Sequence, residues 1–253
     1  MAALEFNTEG DIAIITLNRP DRRNAINSEV REGLFRAFAE FESSDALRVA
    51  ILTGAGDKAF CAGMDLAEAA ELRLAVPPPG YFPVLGDNVR VSKPVIAAVN
   101  GVALAGGWMF AQMCDLCLAS ATASFGITEA KVGRGMPWAT PLVNMIPQRI
   151  AMELLMTGRF ISAQRAYEIG FVNEVTSPED LMPKAMELAQ TIAANAPLTV
   201  KAVKQSLMAA TEMGRSAALR VADQIFEPVY SCEDAIEGPK AFREKRKPVW
   251  KGR

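Results

Sequence analysis

Two apolar runs, each leading toward a glycine-rich corner, constrain this chain more than anything else in it. Val49-Ala50-Ile51-Leu52-Thr53 precedes Phe60-Cys61-Ala62-Gly63-Met64-Asp65-Leu66. Val95-Ile96-Ala97-Ala98-Val99 precedes Asn100-Gly101-Val102-Ala103-Leu104-Ala105-Gly106-Gly107. Runs this short and this apolar read as buried strands, and the segment after each corner reads as a helix. Strand, corner and helix in alternation argue an α/β architecture. Small residues at such corners can leave backbone N–H groups free and aimed at one point. That arrangement suits negative charge growing on an oxygen atom.

The chain contains no histidine, so chemistry at such a point needs another general base. Its 253 residues, half of them hydrophobic, are enough for one large domain or a domain with an appendage. The balance of 27 Lys and Arg against 29 Asp and Glu gives a net charge of −2, which lacks the basic excess of a nucleic-acid protein. Cys114 and Cys117 stand in an apolar run without further ligands nearby. They read as small buried hydrophobes rather than as a redox or metal site, and no metal is expected. The N-terminal Met1-Ala2-Ala3-Leu4-Glu5-Phe6 has neither a charged leader nor an apolar core, and no run approaches a membrane span. The expectation is a cytoplasmic protein with no membrane and no nucleic-acid partner.

Along the chain, Glu5 to Leu17 reads as two strands about Glu9-Gly10-Asp11. A helix capped by Asn27 or Ser28 runs to about Phe41, with Val30, Leu34, Phe35, Phe38 and Phe41 on one face. A helix begins near Asp65. Residues 73 to 92, around Pro77-Pro78-Pro79-Gly80-Tyr81-Phe82-Pro83, read as a mobile loop covering a pocket. Strand 95–99 is followed by a helix over roughly 106–114, a strand at 117–120 and a short one at 124–126. After about Gln148 the pattern turns helical. Gly158 and Gly170 act as stops, and Ser162 and Ser177-Pro178 as starts. Helices are expected over 179–194, 198–212, 216–230 and 233–246, with Pro197 marking the boundary of a helical C-terminal part.

Several stretches together resemble the crotonase, or enoyl-CoA hydratase/isomerase, superfamily. They are Leu17-Asn18-Arg19-Pro20 with Arg22-Arg23-Asn24-Ala25, Ala59 to Leu66, and Pro94 to Gly107. Phe125-Gly126-Ile127-Thr128-Glu129, Leu155-Met156-Thr157-Gly158 and Glu237 to Arg246 complete the set. They occur in family order across nearly the whole chain. The resemblance implies a spiral of ββα units over residues 1–196, carrying an acyl-CoA site. It also implies a helical trimerisation region over 197–253, with a homotrimer or a hexamer formed as a dimer of trimers. No separate cofactor is implied, because coenzyme A is carried as part of the substrate.

By motif position the resemblance assigns the two oxyanion-hole amides to Met64 and Gly106 and the proton-carrying carboxylate to Glu129. Arg22, Arg23 and Ala25 match the segment along the pantetheine and phosphates of CoA. Ala62, Asp65 and Leu66 flank the first donor, and Phe242 and Lys245 match positions that reach the nucleotide, often from a neighbouring subunit. The chemistry agrees with these assignments. An enolate formed beside a thioester places its charge on the carbonyl oxygen, and one preset donor contributes roughly 3–4 kcal/mol to the barrier reduction. A glutamate held among apolar neighbours has a raised pKa and exchanges protons efficiently near neutrality.

One position departs from the pattern. Family hydratases carry a second glutamate three residues after the oxyanion-hole glycine, and here that position is Met109. No acidic residue lies between Lys131 and Ile150 to replace it. A lone glutamate suits a proton shuttle that moves a double bond between positions 3 and 2, as in family isomerases. Hydration, dehydration, decarboxylation, carbon–carbon cleavage and a non-catalytic acyl-CoA binder are the alternatives. The stretch Ser231 to Pro239 resembles carnitinyl-CoA dehydratases but lies in the helical tail. Trp108, Met109, Phe110, Met136, Pro137 and Trp138 read as lining or backing the acyl pocket. Arg134 reads either as a partner for a polar acyl group or as a solvent-facing charge.

Overall fold

In a computed structural model, which describes residues 2–73 and 76–253, the chain builds two sheets and a surrounding set of helices. The hairpin β1 (Leu4–Glu9) and β2 (Ile12–Leu17) turns at Gly10, whose φ of +59° lies in the left-handed region that glycine enters freely. Helix α1 (Ser28–Ser43) follows. Asn27 caps it, its side chain accepting from the Val30 amide at 3.1 Å. Val30, Leu34, Phe38 and Phe41 are all fully buried on its inner face, while Phe35 is half-buried.

A single pattern then recurs three times. β3 (Val49–Gly54) leads to β4 (Ala59–Cys61) and α2 (Leu66–Glu71). β5 (Val95–Val99) leads to β6 (Val102–Leu104) and α3 (Gly106–Met113). β7 (Leu116–Ser120) leads to β8 (Ser124–Gly126) and α4 (Glu129–Val132). The first strand of each unit joins a large sheet and the second joins a small one. After α5 (Gln148–Thr157), β9 (Phe160–Ser162) and α6 (Ala163–Glu168), β10 (Glu174–Thr176) completes the large sheet. Its order is β1-β2-β3-β5-β7-β10, parallel from β2 onward; the small sheet runs β4-β6-β8-β9, with only β9 antiparallel. This is the expected spiral of ββα units.

The centre of the large sheet is covered on both faces, which explains why β3 and β5 are buried along their whole length. Ala50 and Leu52 of β3, with Val95, Ala97 and Val99 of β5, enter the main core beside α1 and α3. Val49, Ile51, Ile96 and Ala98 point the other way, against α7 (Leu181–Ala193). There Ala185 and Ala189, one turn apart and both fully buried, let the helix approach the sheet closely.

The C-terminal helices α8 (Pro197–Thr211), α9 (Arg215–Ser231) and α10 (Glu233–Glu244) follow Pro197 as expected. α9 packs on α8 and buries none of its own residues. The tail returns to this unit: Asp234 accepts from the Lys251 and Gly252 amides at 2.7 and 2.9 Å, and Trp250 Nε1 donates to the Ala194 carbonyl. No helix among the described residues is long and apolar enough to cross a membrane.

Three features differ from the sequence reading. The region after Gln148 is interrupted by β9 and β10. Ser177 opens a turn, accepting from the Asp180 amide, but α7 starts only at Leu181. The loop expected over 73–92 includes Leu74 and Ala75, which lie outside the described residues. Its remainder is irregular and anchored, with Leu85, Val89 and Val91 buried in the main core and the Tyr81 ring under the Arg31 guanidinium at 3.8 Å.

Candidate active site

The strands β4, β6 and β8 lie side by side and parallel, so their carboxyl ends open on one edge of the small sheet. Ligands in parallel α/β sheets gather at that edge. Here each strand delivers one piece of the site: β4 runs into Ala62-Gly63-Met64-Asp65, β6 into Ala105-Gly106, and β8 into Ile127-Thr128-Glu129. Cross-strand pairing fixes their relative heights. Leu104 stands opposite Gly126, and the Ala105 amide donates to the Gly126 carbonyl at 2.9 Å.

The first two corners are in contact. A Cβ added to Gly63 would lie 3.0 Å from both the Ala105 Cβ and the Leu104 carbonyl oxygen, and 3.4 Å from the Gly106 amide nitrogen. Gly63 also holds φ +88°, a conformation that L side chains rarely adopt. A Cβ on Gly107 would overlap the Cys61 carbonyl. The glycines therefore permit both the turns and their approach to each other.

Among the described residues, neither the Met64 nor the Gly106 amide donates a hydrogen bond, whereas the amides of Ala62 and Asp65 do. Gly106 is also the first residue of α3. Its preceding residue, Ala105, has φ +51° and offers no side-chain cap, so the helix dipole adds to the donor. Unengaged backbone amides at such corners are groups that can donate to a developing oxyanion.

Glu129 is the carboxylate at this edge. It is 8% exposed, and its Oε2 is buried without a hydrogen-bond partner. Burial pushes its pKa above the ordinary glutamate value, and the adjoining amides of Glu129 and Thr128 oppose that only in part. Met109, the only other side chain at a proton carrier's family position, is a buried thioether. Burial pushes the Cys61 and Cys117 thiols up to about 12, and the Cys114 thiol rises as well. No cluster among the described residues could hold a metal.

The model of the enoyl-CoA hydratase/isomerase family matches residues 7–253. The chain belongs to this family. It is an enzyme of the crotonase superfamily. A carnitinyl-CoA dehydratase of Citrobacter koseri is 42% identical over 99% of each chain, and one of Salmonella typhi is 41% identical over the same share. Among solved structures, an enoyl-CoA hydratase of Mycobacterium marinum superposes with a TM-score of 0.92 at 37% identity over 100% of both chains. One from Bacillus anthracis gives 0.90 at 33% identity, covering 99% of this chain and 100% of its own.

In this member of the family, Met64 follows β4, Gly106 follows β6 and Glu129 follows β8, three neighbouring parallel strands of the small sheet. Arg22 and Arg23 stand exposed beside the first corner, the Arg23 carbonyl accepting from the Ala62 amide at 3.0 Å; Ala25 and Ala62 are half-buried there. Leu66 is 72% exposed at the start of α2. Asp65 has other partners than a ligand: its carboxylate accepts from Arg19 and from the Ala67 and Glu68 amides. Phe242 and Lys245 are exposed on or just after α10, which packs on α9. Trp108 backs the site rather than lining it, being fully buried between Phe125 and Phe171 with ring centroids 5.6 and 4.9 Å away. Met136 and Trp138 pack on the core's edge, and Arg134 is half-buried. Sequence reasoning assigned no role to Arg19 or to the fully buried Asn24. Asn24 ties the Arg19 amide to the Ala55 and Ala59 carbonyls at φ +54°. An asparagine directly after two arginines was the available signal.

Proposed function

We propose that this enzyme acts on acyl-CoA thioesters through an enolate whose oxygen sits on the Met64 and Gly106 amides, with Glu129 as the single proton carrier. The observation that carries this reading is the meeting, on one strand edge, of two unengaged amides and a buried carboxylate with an unpartnered oxygen. The favoured net reaction is a double-bond shift. Glu129 takes the proton from the carbon beside the thioester, and the electron pair delocalises onto the carbonyl oxygen. The same carboxyl returns the proton at C4, leaving the double bond between C2 and C3. Met109 favours this over a mechanism that needs a second acid or base.

Dehydration or hydration of the acyl chain is the second reading. It is favoured by the 41–42% identity to proteins named carnitinyl-CoA dehydratase and by the hydratase names of the similar structures. In that case Glu129 must serve both carbons from one face. Arg22, Arg23, Ala25, Ala62 and Leu66 would border the CoA arm, with Asp65 shaping the corner. Phe242 and Lys245 would reach a neighbour's nucleotide within a trimer or a dimer of trimers.

Incubation with a 3-enoyl-CoA and a trans-2-enoyl-CoA in deuterated water tests both readings. The double-bond shift should proceed with deuterium entering the acyl chain, and Glu129→Gln should slow it by about 10²–10⁴-fold. Hydration as fast as the shift, equally dependent on Glu129, would replace the first reading by the second.

A further inference from the structure

Helix α2 opens with Asp65-x-x-Glu68, the spacing by which a helix start closes on itself. Only half of that closure forms. Asp65 Oδ1 accepts from the Ala67 and Glu68 amides at 3.1 and 3.4 Å. The Glu68 carboxylate does not return to Asp65. It accepts instead from the Ser28 amide and from Arg31, both at 2.8 Å. The Asp65 amide donates across to the Ile26 carbonyl at 3.0 Å. The first corner is thus bolted to the segment containing Arg19 to Arg31.

Inside this frame runs a continuous line of hydrogen bonds. Arg19 Nη1 donates to the Ala25 carbonyl at 2.6 Å. That carbonyl belongs to the peptide whose N–H is that of Ile26, which donates to the Gly63 carbonyl at 2.8 Å. The Gly63 carbonyl belongs in turn to the peptide whose N–H is that of Met64. A trans peptide points its C=O and N–H in opposite directions. Anchoring the Gly63 oxygen on Ile26 therefore aims the Met64 N–H away from Ile26, and that N–H is unengaged. A cation at one end of such a line polarises each peptide in it and makes the last N–H a better donor. The Arg19 side chain is only 19% exposed, so solvent screens this effect weakly.

We propose that Arg19 is a positioning residue for the oxyanion hole, aiming and polarising the Met64 amide through the peptides Ala25–Ile26 and Gly63–Met64. The proposal rests on the assignment of Met64 as an oxyanion donor made above. Asp65, 2.9 Å from the same Nη1, holds the guanidinium in place and offsets part of its charge.

The test uses a chromophoric 3-aryl-2-enoyl-CoA bound at saturation to the intact enzyme. Polarisation of its carbonyl shifts its absorption to the red without requiring turnover. Wild type should show the shift. Arg19→Met should lose most of it while still binding, with kcat down about tenfold and KM within about twofold; outright loss of a donor costs about 10²–10³-fold. Arg19→Lys, which keeps the cation, should recover much of the shift. Asp65→Asn, which leaves the Arg19–Ala25 bond in place, should keep it. Arg19→Met with an undiminished shift would overturn the relay and leave the oxyanion assignment standing. Loss of the shift in Asp65→Asn equal to that in Arg19→Met would also overturn it, reducing Arg19 to an anchor for α2. If Arg19→Met does not fold, Arg19→Gln, which removes the cation but keeps a donor, takes its place: it should lose much of the shift that Arg19→Lys keeps, and an undiminished shift in it would overturn the relay. No shift in wild type would remove the oxyanion assignment itself, and the relay with it.

Discussion

The burial that suits Glu129 to its proposed role as proton carrier has a measurable cost to the fold. Because burial raises its folded-state pKa, its stabilising contribution is complete below the unfolded carboxyl value, about pH 4, and is lost as pH rises through the folded value. Glu129→Gln should therefore melt higher than wild type at pH 7–8 and show no such gain near pH 4, in thermal scans across that range. Activity runs the other way. Under the proposed function the base must be ionised, so the rate should climb as pH rises through the raised pKa of Glu129 and then level. With no histidine in the chain, that limb should follow a single titration. A second residue-scale outcome concerns Gly107, where an added methyl would run into the Cys61 backbone carbonyl and lie 3.0 Å from the Cys61 Cβ. Gly107→Ala should destabilise the enzyme by more than about 3 kcal/mol in urea unfolding, since backbone cannot repack as a side chain does. The corners holding Met64 and Gly106 and the start of α4 at Glu129 were legible because each sits in a short, distinctive string. Arg19 was visible in the same strings, but its role was not, because it depends on partners 6 and 46 residues away. The φ of +51° at Ala105 was illegible for a related reason: alanine gives no sign of a left-handed backbone.

At the scale of elements, the long and the short strands divide what periodicity can show. β3 and β5 are buried on both faces and announced themselves as unbroken apolar runs. β4, β6, β9 and β10 have three residues each, too few for alternation to register, and β9 and β10 are partly exposed. They are defined by pairing partners far along the chain. Helix starts with side-chain caps were legible at Asn27 and Ser162, which accept from the Val30 and Arg165 amides. Asn27→Ala should lower stability by about 1 kcal/mol, read from the urea midpoint at unchanged slope. At the opposite sheet face, Ala189→Leu should force α7 away from β3 and β5, a loss of about 1–3 kcal/mol by the same measurement.

For the whole molecule, α9 is the element that one chain leaves least accounted for. It buries none of its residues, and Leu219 is 61% exposed, as are Tyr230 at 80% and Phe242 of α10 at 87%. Apolar side chains spread over this unit fit contacts between copies. Under the proposed trimer, sedimentation of wild type should give the trimeric mass or its double. Leu219→Asp combined with Tyr230→Asp should shift it toward the single chain, while the far-ultraviolet spectrum stays unchanged.

The ladder that joins β4, β6 and β8 carries a consequence for how such an enzyme changes its diet. The groups proposed to handle charge follow neighbouring strands, rungs whose register the backbone pairing fixes. By contrast, residues 76–92 and the 3-10 turn Pro137–Asn144 are looped chain with no place on those rungs. On the sequence reading of 73–92 as a pocket cover and of Pro137 and Trp138 as pocket lining, transplanting either stretch from a relative should retune which acyl tails are accepted while β4, β6 and β8 keep their register.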